Sequence, residues 1–207
     1  MKDINSICII GAGGHTRSLI ALIRRATKYD IHSIYDTSQS SSKNEKILGI
    51  PVVNSSLPAL NETQYVISSG FPKVRENLYK TYVKNALKDN IIDPSVLILS
   101  SFEVGTANHL FAGVIINSEV EIGDNNLLNT GCIIEHESFL GSHNHISVGS
   151  KICGRVKIGS NCFIGAGATI INNISICDDV VVGAGAVVVN NITEPGMWAG
   201  IPAKLQK

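Results

Sequence analysis

Residues 131–149, GCIIEHESFLGSHNHISVG, place Glu135, His136, Glu137, His143 and His145 within eleven positions. Three of the chain's six histidines fall in this one stretch, among residues that are otherwise aliphatic or small. Histidine titrates near neutral pH, so it can take a proton from an attacking amine or hydroxyl and hand it to a leaving group. A carboxylate on the other ring nitrogen fixes the tautomer and favours the imidazolium that forms. Glu135 and Glu137 are both candidates for that partner. Neighbours on a strand point to opposite sides, but a turn can bring them together. The same cluster invites a zinc reading, yet its spacing matches no common ligand pattern and no metal is expected. The bland alternative is that His136 is a solvated turn residue.

The segment lies in a repeat. From Ile92 to Val188 every sixth residue is aliphatic, seventeen in succession without an insertion. Two residues before each beat the side chain is usually small or medium, as at Cys132, Ser138, Ser150, Val156, Cys162, Ala168 and Ala186, which suits a second inward position on a narrow strand. One residue after it, glycine or asparagine is common, including Gly105, Asn117, Gly123, Asn129, Gly141, Gly159, Gly165 and Gly183, and these suit a tight bend. A heptad helix drifts out of phase with a period of six, and an open sheet needs no bend so often. A parallel β-helix satisfies both, with three hexapeptides making a triangular coil of about eighteen residues. Gly154, eighteen residues past His136, is then stacked on it, with a backbone N–H open to an oxyanion.

The N-terminal third has a different grammar. SICIIGAGGHTRSLIALIRRA reads as a buried strand from Ile7 to Ile10, a glycine turn over 11–14 and an amphipathic helix to Ala26. IHSIYD is a second strand ending at Asp36, TSQSSSKNEK a polar loop, GIPVV a short extended segment, QYVISSG a third strand, and PKVRENLYKTYVKNAL a helix with proline at its start. Such alternation predicts a parallel sheet with ligand chemistry at the carboxyl ends of its strands, where Gly13, Gly14, Asp36 and Gly70 fall. Thr16 stands where a dinucleotide fingerprint has its last glycine, which argues against NAD and leaves a mononucleotide, with Asp36 placed for a ribose hydroxyl. Gly11, Gly13 and Gly14 either admit a phosphate at the helix N-terminus or simply permit the turn, and His15 is either a ligand contact or a first-turn residue. The expected organisation is a Rossmann-like α/β domain over 1–90 and a β-helix over 91–207.

Seventeen basic and seventeen acidic residues cancel, with no run of like charge, so no nucleic-acid or anionic-membrane partner is expected. No apolar run is long enough to cross a bilayer and the N-terminus carries no cleavage pattern, so the expected compartment is the cytoplasm. The five cysteines lack paired spacing and read as reduced, packed thiols.

The GAGGH turn, the run of hexapeptides, NTGCIIEHE, NHISVG and the ending WAGIPAKL resemble the sugar O- and N-acetyltransferases of the left-handed β-helix superfamily, in particular bacterial nucleotide-sugar 4-amino N-acetyltransferases and their sialic acid O-acetyltransferase cousins. The resemblance implies a left-handed coil, a homotrimer, and acetyl-CoA lying between adjacent β-helices. It implies that His136 is the base and Glu137 the carboxylate that raises its basicity, with Asn129 near the acceptor sugar. It places His145 beside acetyl-CoA, Gly13, Gly14, His15, Asp36 and Gly70 around the sugar nucleotide, and Ala166 and Ala184 along the CoA groove; Gly154, set over His136 by the repeat, is expected to contact the cofactor's acyl oxygen. The activity implied is acetyl transfer to the 4-amino group of a nucleotide-linked deoxy amino sugar for surface glycans. Competing readings are O-acetylation of a sialic acid and a non-catalytic sugar-nucleotide sensor. Arg155, Lys157 and Lys204 could meet CoA phosphates or be ordinary exposed charges, and His109 and His143 have no assigned role.

Overall fold

The computed structural model describes residues 6–36, 45–54 and 63–206. Its first part is a five-stranded sheet in the order β3-β4-β2-β1-β5, from β1 (Ser6–Ile10), β2 (Asp30–Tyr35), β3 (Lys46–Ile47), β4 (Ile50–Val53) and β5 (Gln64–Ile67). Strands β1, β2, β4 and β5 run parallel, and helix α1 (His15–Ala26) supplies the first crossover. The apolar face of α1, with Leu19, Ile20 and Ile23 at 0% exposure, packs on the sheet. Residues 37–44 of the expected polar loop lie outside the described residues. The antiparallel hairpin of β3 and β4 was not foreseen: Leu48 and Gly49 turn it with positive φ.

Helix α2 covers Pro72–Thr81 rather than the whole of the segment expected from its pattern. Tertiary pairing ends it early. The Asn85 carbonyl accepts from Tyr65 N–H and the Tyr65 carbonyl accepts from Leu87 N–H, so the chain leaves the helix to run beside β5.

From Ile91 onward the chain is a left-handed β-helix with three faces. Face 1 starts at Ile91–Ile92, face 2 at Leu97–Ile98 and face 3 at Phe102–Val104, and strands pair in register with those eighteen residues on, as in Ile115 with Ile133 and Ile133 with Lys151, until the last coil, where Val182 pairs with Trp198. The six-residue beat fills the prism. Leu110, Ile116, Leu128, Ile134, Leu140, Ile146, Ile152, Ile158, Ile164 and Ile170 are all at 0% exposure, each contributing roughly 1.5–3 kcal/mol of burial. The first beats are less covered, with Ile98 at 39%, because no coil precedes them. The second inward position behaves likewise at Cys132, Val156, Cys162 and Ala168.

The bends are made differently from the expectation. The left-handed residue comes three positions after each beat: Ala107, Asn125, His143, Asn161 and Asp179 on the edge between faces 3 and 1, Glu119, Glu137, Arg155 and Asn173 between faces 2 and 3, and Gly113, Gly131, Gly149, Gly167 and Gly185 between faces 1 and 2. The glycines one residue after the beat serve close approach instead. A Cβ on Gly141 would stand 2.7 Å from the Gly159 carbonyl oxygen in the next coil.

A ladder of asparagines also runs inside the prism: the side-chain oxygens of Asn90, Asn108, Asn126 and Asn144 accept in turn from the backbone N–H groups of Asn108, Asn126, Asn144 and Cys162.

The α/β core continues into face 1, where Ile91, Phe111 and Leu127 join Leu19, Ile20 and Ile23 in one cluster. Helix α2 lies along the edge between faces 3 and 1. There His143 finds its place: its Nδ1 accepts from Asn125 Nδ2 at 2.9 Å, and its ring meets that of Tyr79 at 5.5 Å. It holds α2 to the β-helix, away from His136.

Candidate active site

His136 and Glu137 sit on the turn between Ile133–Ile134 and Phe139–Leu140, the edge between faces 2 and 3. Glu137 is left-handed (φ 58°), and that bend swings its carboxylate back beside the preceding residue. His136 Nδ1 lies 2.9 Å from Glu137 Oε2, so Nδ1–H donates and the lone pair resides on Nε2. Glu135 is engaged elsewhere, accepting from Asn117 Nδ2 at 2.8 Å. The Arg155 guanidinium, one coil on, donates from Nε to the same Glu137 Oε2 at 3.0 Å. That guanidinium, and after it the His136 ring, holds the Glu137 carboxyl below the usual range.

Gly154 lies over the imidazole. A Cβ there would come 2.6 Å from both His136 Cε1 and Nε2, and the Arg155 N–H donates to the His136 carbonyl at 2.9 Å. Among the described residues the Gly154 N–H has no protein partner. A lone pair on a tautomer-fixed imidazole beside an unclaimed N–H is an arrangement able to take up a proton and stabilise an oxyanion.

The second group of expected residues gathers where the sheet meets face 1. Gly11 is required by the chain itself, with φ 104° and a Cβ position 2.5 Å from the Ser68 carbonyl oxygen. Gly13 and Gly14 are not: neither has positive φ, and nothing lies within 4 Å of a Cβ on either. What they provide is room at the start of α1. Thr16, in place of a fingerprint glycine, is buried and donates from Oγ1 to the Gly11 carbonyl at 2.8 Å while meeting Ser68 Oγ at 2.9 Å. Asp36 Oδ2 accepts from Ala12 N–H at 2.6 Å. Gly11, Ala12, Gly13, Asp36 and Ser68, with Tyr35, Ser69, Val74 and Leu78, line a cleft of about 230 Å³.

Gly70, His15, Asn129 and His145 adjoin one another. His145 Nδ1–H donates to the Gly70 carbonyl at 2.7 Å, and Asn129 Nδ2 is 3.3 Å from His145 Nε2. The His15 and His145 ring centroids are 6.3 Å apart, and His15 Nε2 is buried with no partner among the described residues. His145, expected at acetyl-CoA, therefore stands among the residues expected at the sugar nucleotide.

Beneath them lies a group with no signal in the residue pattern. Arg75 of α2 is fully buried and donates to the carbonyls of Asn125 (2.8 Å) and Ile67 (2.9 Å), with Nη2 3.3 Å from His109 Nδ1. Burial first, then Arg75, then His145 push His15 down to about 4; burial, against the Gly70 carbonyl and with Arg75, puts His145 at about 4 as well. Burial and Arg75 also hold His109 well below its ordinary value. A histidine whose folded pKa is depressed leaves the unfolded chain binding more protons on acidification. Stability is therefore full above about pH 6.5 and falls as pH drops toward 4, by roughly 1.4 kcal/mol per pH unit for each histidine. Urea unfolding at stepped pH checks this, and a midpoint flat from pH 7 to pH 5 would contradict it.

The edge between faces 1 and 2 is smooth. The other two edges hold glutamate, arginine, histidine and asparagine at the same left-handed position, so backbone strain alone does not demand glycine at 131, 149, 167 and 185. A Cβ at those four would meet nothing of the chain within 4 Å. Ala166 and Ala184 lie beside them, exposed. This run of small residues leaves outward space for an extended ligand along the edge, as a pantetheine arm requires. His136 and Gly154 stand on a different edge from Asn129, Ala166 and Ala184, with face 2 between. Among the described residues no group of three or more His, Cys, Asp or Glu side chains could hold a metal ion, and no helix is long and apolar enough to cross a membrane.

No protein of curated function matches the sequence. Residues 6–82 match the PglD N-terminal domain, and residues 137–172 and 155–190 match the bacterial transferase hexapeptide (six repeats). The crystal structure of PerB from Caulobacter crescentus in complex with CoA and GDP-perosamine is similar at a TM-score of 0.88 and 31% identity, over 99% of this chain and 98% of that one. A mutant of perosamine N-acetyltransferase from the same organism, also with CoA and GDP-perosamine, gives 0.88 and 30% over the same shares. The acetyltransferase domain of PglB from Neisseria gonorrhoeae in complex with acetyl coenzyme A shares the fold, with a TM-score of 0.86 and 24% identity over 98% of this chain and 99% of that one. Agreement along nearly the whole length, in both the α/β part and the prism, means that the chain belongs to the acetyl-CoA-dependent sugar N-acetyltransferases of the left-handed β-helix, hexapeptide-repeat superfamily.

Proposed function

We propose that this enzyme moves the acetyl group of acetyl-CoA onto the 4-amino group of a nucleotide-linked deoxy amino sugar, with His136 as general base and Glu137 as its partner. The observation that carries the reading is the fixed tautomer: Nδ1–H on Glu137 and a free lone pair on Nε2, under the unclaimed N–H of Gly154. The binding of CoA and GDP-perosamine by a 31%-identical relative supports the choice of an amine on a nucleotide sugar.

In this scheme His136 Nε2 receives a proton as the amine attacks the thioester carbon, the Gly154 N–H donates to the oxyanion, and as the C–S bond breaks the imidazolium gives its proton to the departing CoA thiolate. CoA supplies an acyl group already activated as a thioester, so no covalent enzyme intermediate is needed. Ala166, Gly167, Ala184 and Gly185 would hold the pantetheine arm. Gly13, Gly14, His15, Asp36 and Gly70 would hold the sugar nucleotide, with Asn129 at the sugar and His145 oriented by Gly70 between the two ligands.

A homotrimer fits this division of labour. The base stands on one edge of the prism and the smooth groove on another, so a second copy set against face 2 would complete each site. Exposed Leu97, Leu99 and Ile171 on and beside that face are apolar enough to be covered. A cytoplasmic setting fits the use of acetyl-CoA and a nucleotide sugar, and the acetylated sugar would pass to surface-glycan assembly.

The test is thiol release from acetyl-CoA against UDP-, dTDP- and GDP-linked 4-amino sugars and free sialic acid. Turnover is expected with an amino sugar nucleotide alone. Turnover with sialic acid and none with any amine would replace the proposal by O-acetylation.

A further inference from the structure

We propose that Arg155 is a positioning residue that tempers the His136–Glu137 pair, keeping the base neutral to lower pH than the pair would achieve by itself. This rests on His136 being the base. Arg155 and Glu137 occupy the same turn position in successive coils, both left-handed, with φ 59° and 58°. That stacking brings the guanidinium onto the carboxylate. Glu137 Oε2 thus serves two donors, His136 Nδ1–H at 2.9 Å and Arg155 Nε–H at 3.0 Å. The Arg155 backbone N–H also donates to the His136 carbonyl at 2.9 Å, so one residue grips both the carboxylate and the main chain of the base.

The two donors differ in kind. The guanidinium is charged at every relevant pH, whereas the imidazolium exists only after proton transfer. A permanent cation on the shared oxygen weakens what Glu137 can offer to a second positive charge and repels that charge directly. The consequence is a base that is less strong and available earlier on the acid side. No other cation stands at this turn position: the coil below has Glu119 and the coil above Arg155 has Asn173. The remaining titratable groups around the turn are Glu135, held by Asn117, with Cys153, Lys151 and Lys157 in the coil of Arg155. None is recorded in a hydrogen bond to the His136 or Glu137 side chain.

The side chain of Arg155 is 59% exposed, so its replacement leaves the core intact. The experiment compares wild type, Arg155→Gln and Arg155→Lys in the full-length enzyme by NMR titration of the His136 imidazole and by the pH dependence of kcat/KM for acetyl transfer. Arg155→Gln is expected to raise both the titration midpoint and the acid limb by roughly half a pH unit, the modest size set by solvent exposure. Arg155→Lys, which keeps the charge, is expected to move both back toward wild type. An unchanged midpoint in Arg155→Gln overturns the proposal, as does an effect confined to KM for acetyl-CoA, which would make Arg155 a phosphate contact. The NMR midpoint is read without turnover, so it stands apart from the base assignment, which the His136→Ala rate tests.

Discussion

Replacing His136 by alanine is expected to lower acetyl transfer by roughly two to four orders of magnitude, the contribution of a positioned general base. Folding should be unaffected. The side chain is 45% exposed and belongs to neither inward position of the repeat; Ile134 and Ser138, which do, are at 0% and 1%. Gly154→Ala is expected to reproduce much of the loss without touching the imidazole chemically, because the new methyl group would occupy a point 2.6 Å from Nε2 and must push the ring off its line. The double variant separates the routes: if Gly154→Ala acts through the ring, adding it to His136→Ala costs little more. If the Gly154 N–H also matters as an oxyanion donor and the methyl shifts it, the double falls below the single. Thiol-release rates with melting curves of each variant decide the matter, and His136→Ala within ten-fold of wild type would remove His136 from the chemistry.

The prism was legible because its rule is local. One aliphatic residue per six, repeated without a break, fixes strand, bend and stacking partner at once, so Gly154 could be set over His136 by counting eighteen. The bend itself was misread. Glycine one residue after the beat looks like a hinge, but the hinge is two residues later and is filled by glutamate, arginine or histidine on two of the three edges. Counting in eighteens rather than sixes would have separated the edges: it gathers Gly113, Gly131, Gly149, Gly167 and Gly185 into one smooth line and Asn90, Asn108, Asn126 and Asn144 into one ladder. His143 follows from the same count, falling between Asn125 and Asn161 on the edge that receives α2. The end of α2 had no such signal, since its helical pattern runs on past Thr81 and only pairing with β5 stops it. Arg75 was equally silent, because a basic residue on an amphipathic helix reads as solvated, and what buries it comes from fifty residues further along the chain.

That arginine is where the second large effect is expected. Arg75→Ala should cost about 3–5 kcal/mol of stability, lowering the melting temperature by roughly 10 °C. The guanidinium has 0% exposure, and burial pushes it down to about 9, so it enters neutral solution still charged, its charge met by the carbonyl oxygens of Asn125 and Ile67. Truncation leaves those oxygens without their donor, takes the partner from His109 Nδ1, and opens a void in a packed interface. Arg75→Met distinguishes the causes: it restores volume but no donors, so a cost that persists belongs to the carbonyls and one that disappears belonged to the cavity. The loss should also reach the site. Ile67 leads into Ser68, Ser69 and Gly70, and Gly70 orients His145, so KM for the sugar nucleotide should rise more than kcat falls. Removing a cation from beside His15, His109 and His145 also relieves one cause of their lowered pKa values, so what stability Arg75→Met retains should decline less steeply on acidification than in wild type. Wild-type stability in Arg75→Ala would mean that α2 is held to the β-helix without its buried arginine, by contacts such as Tyr79 with His143 and Lys73 with Asp179.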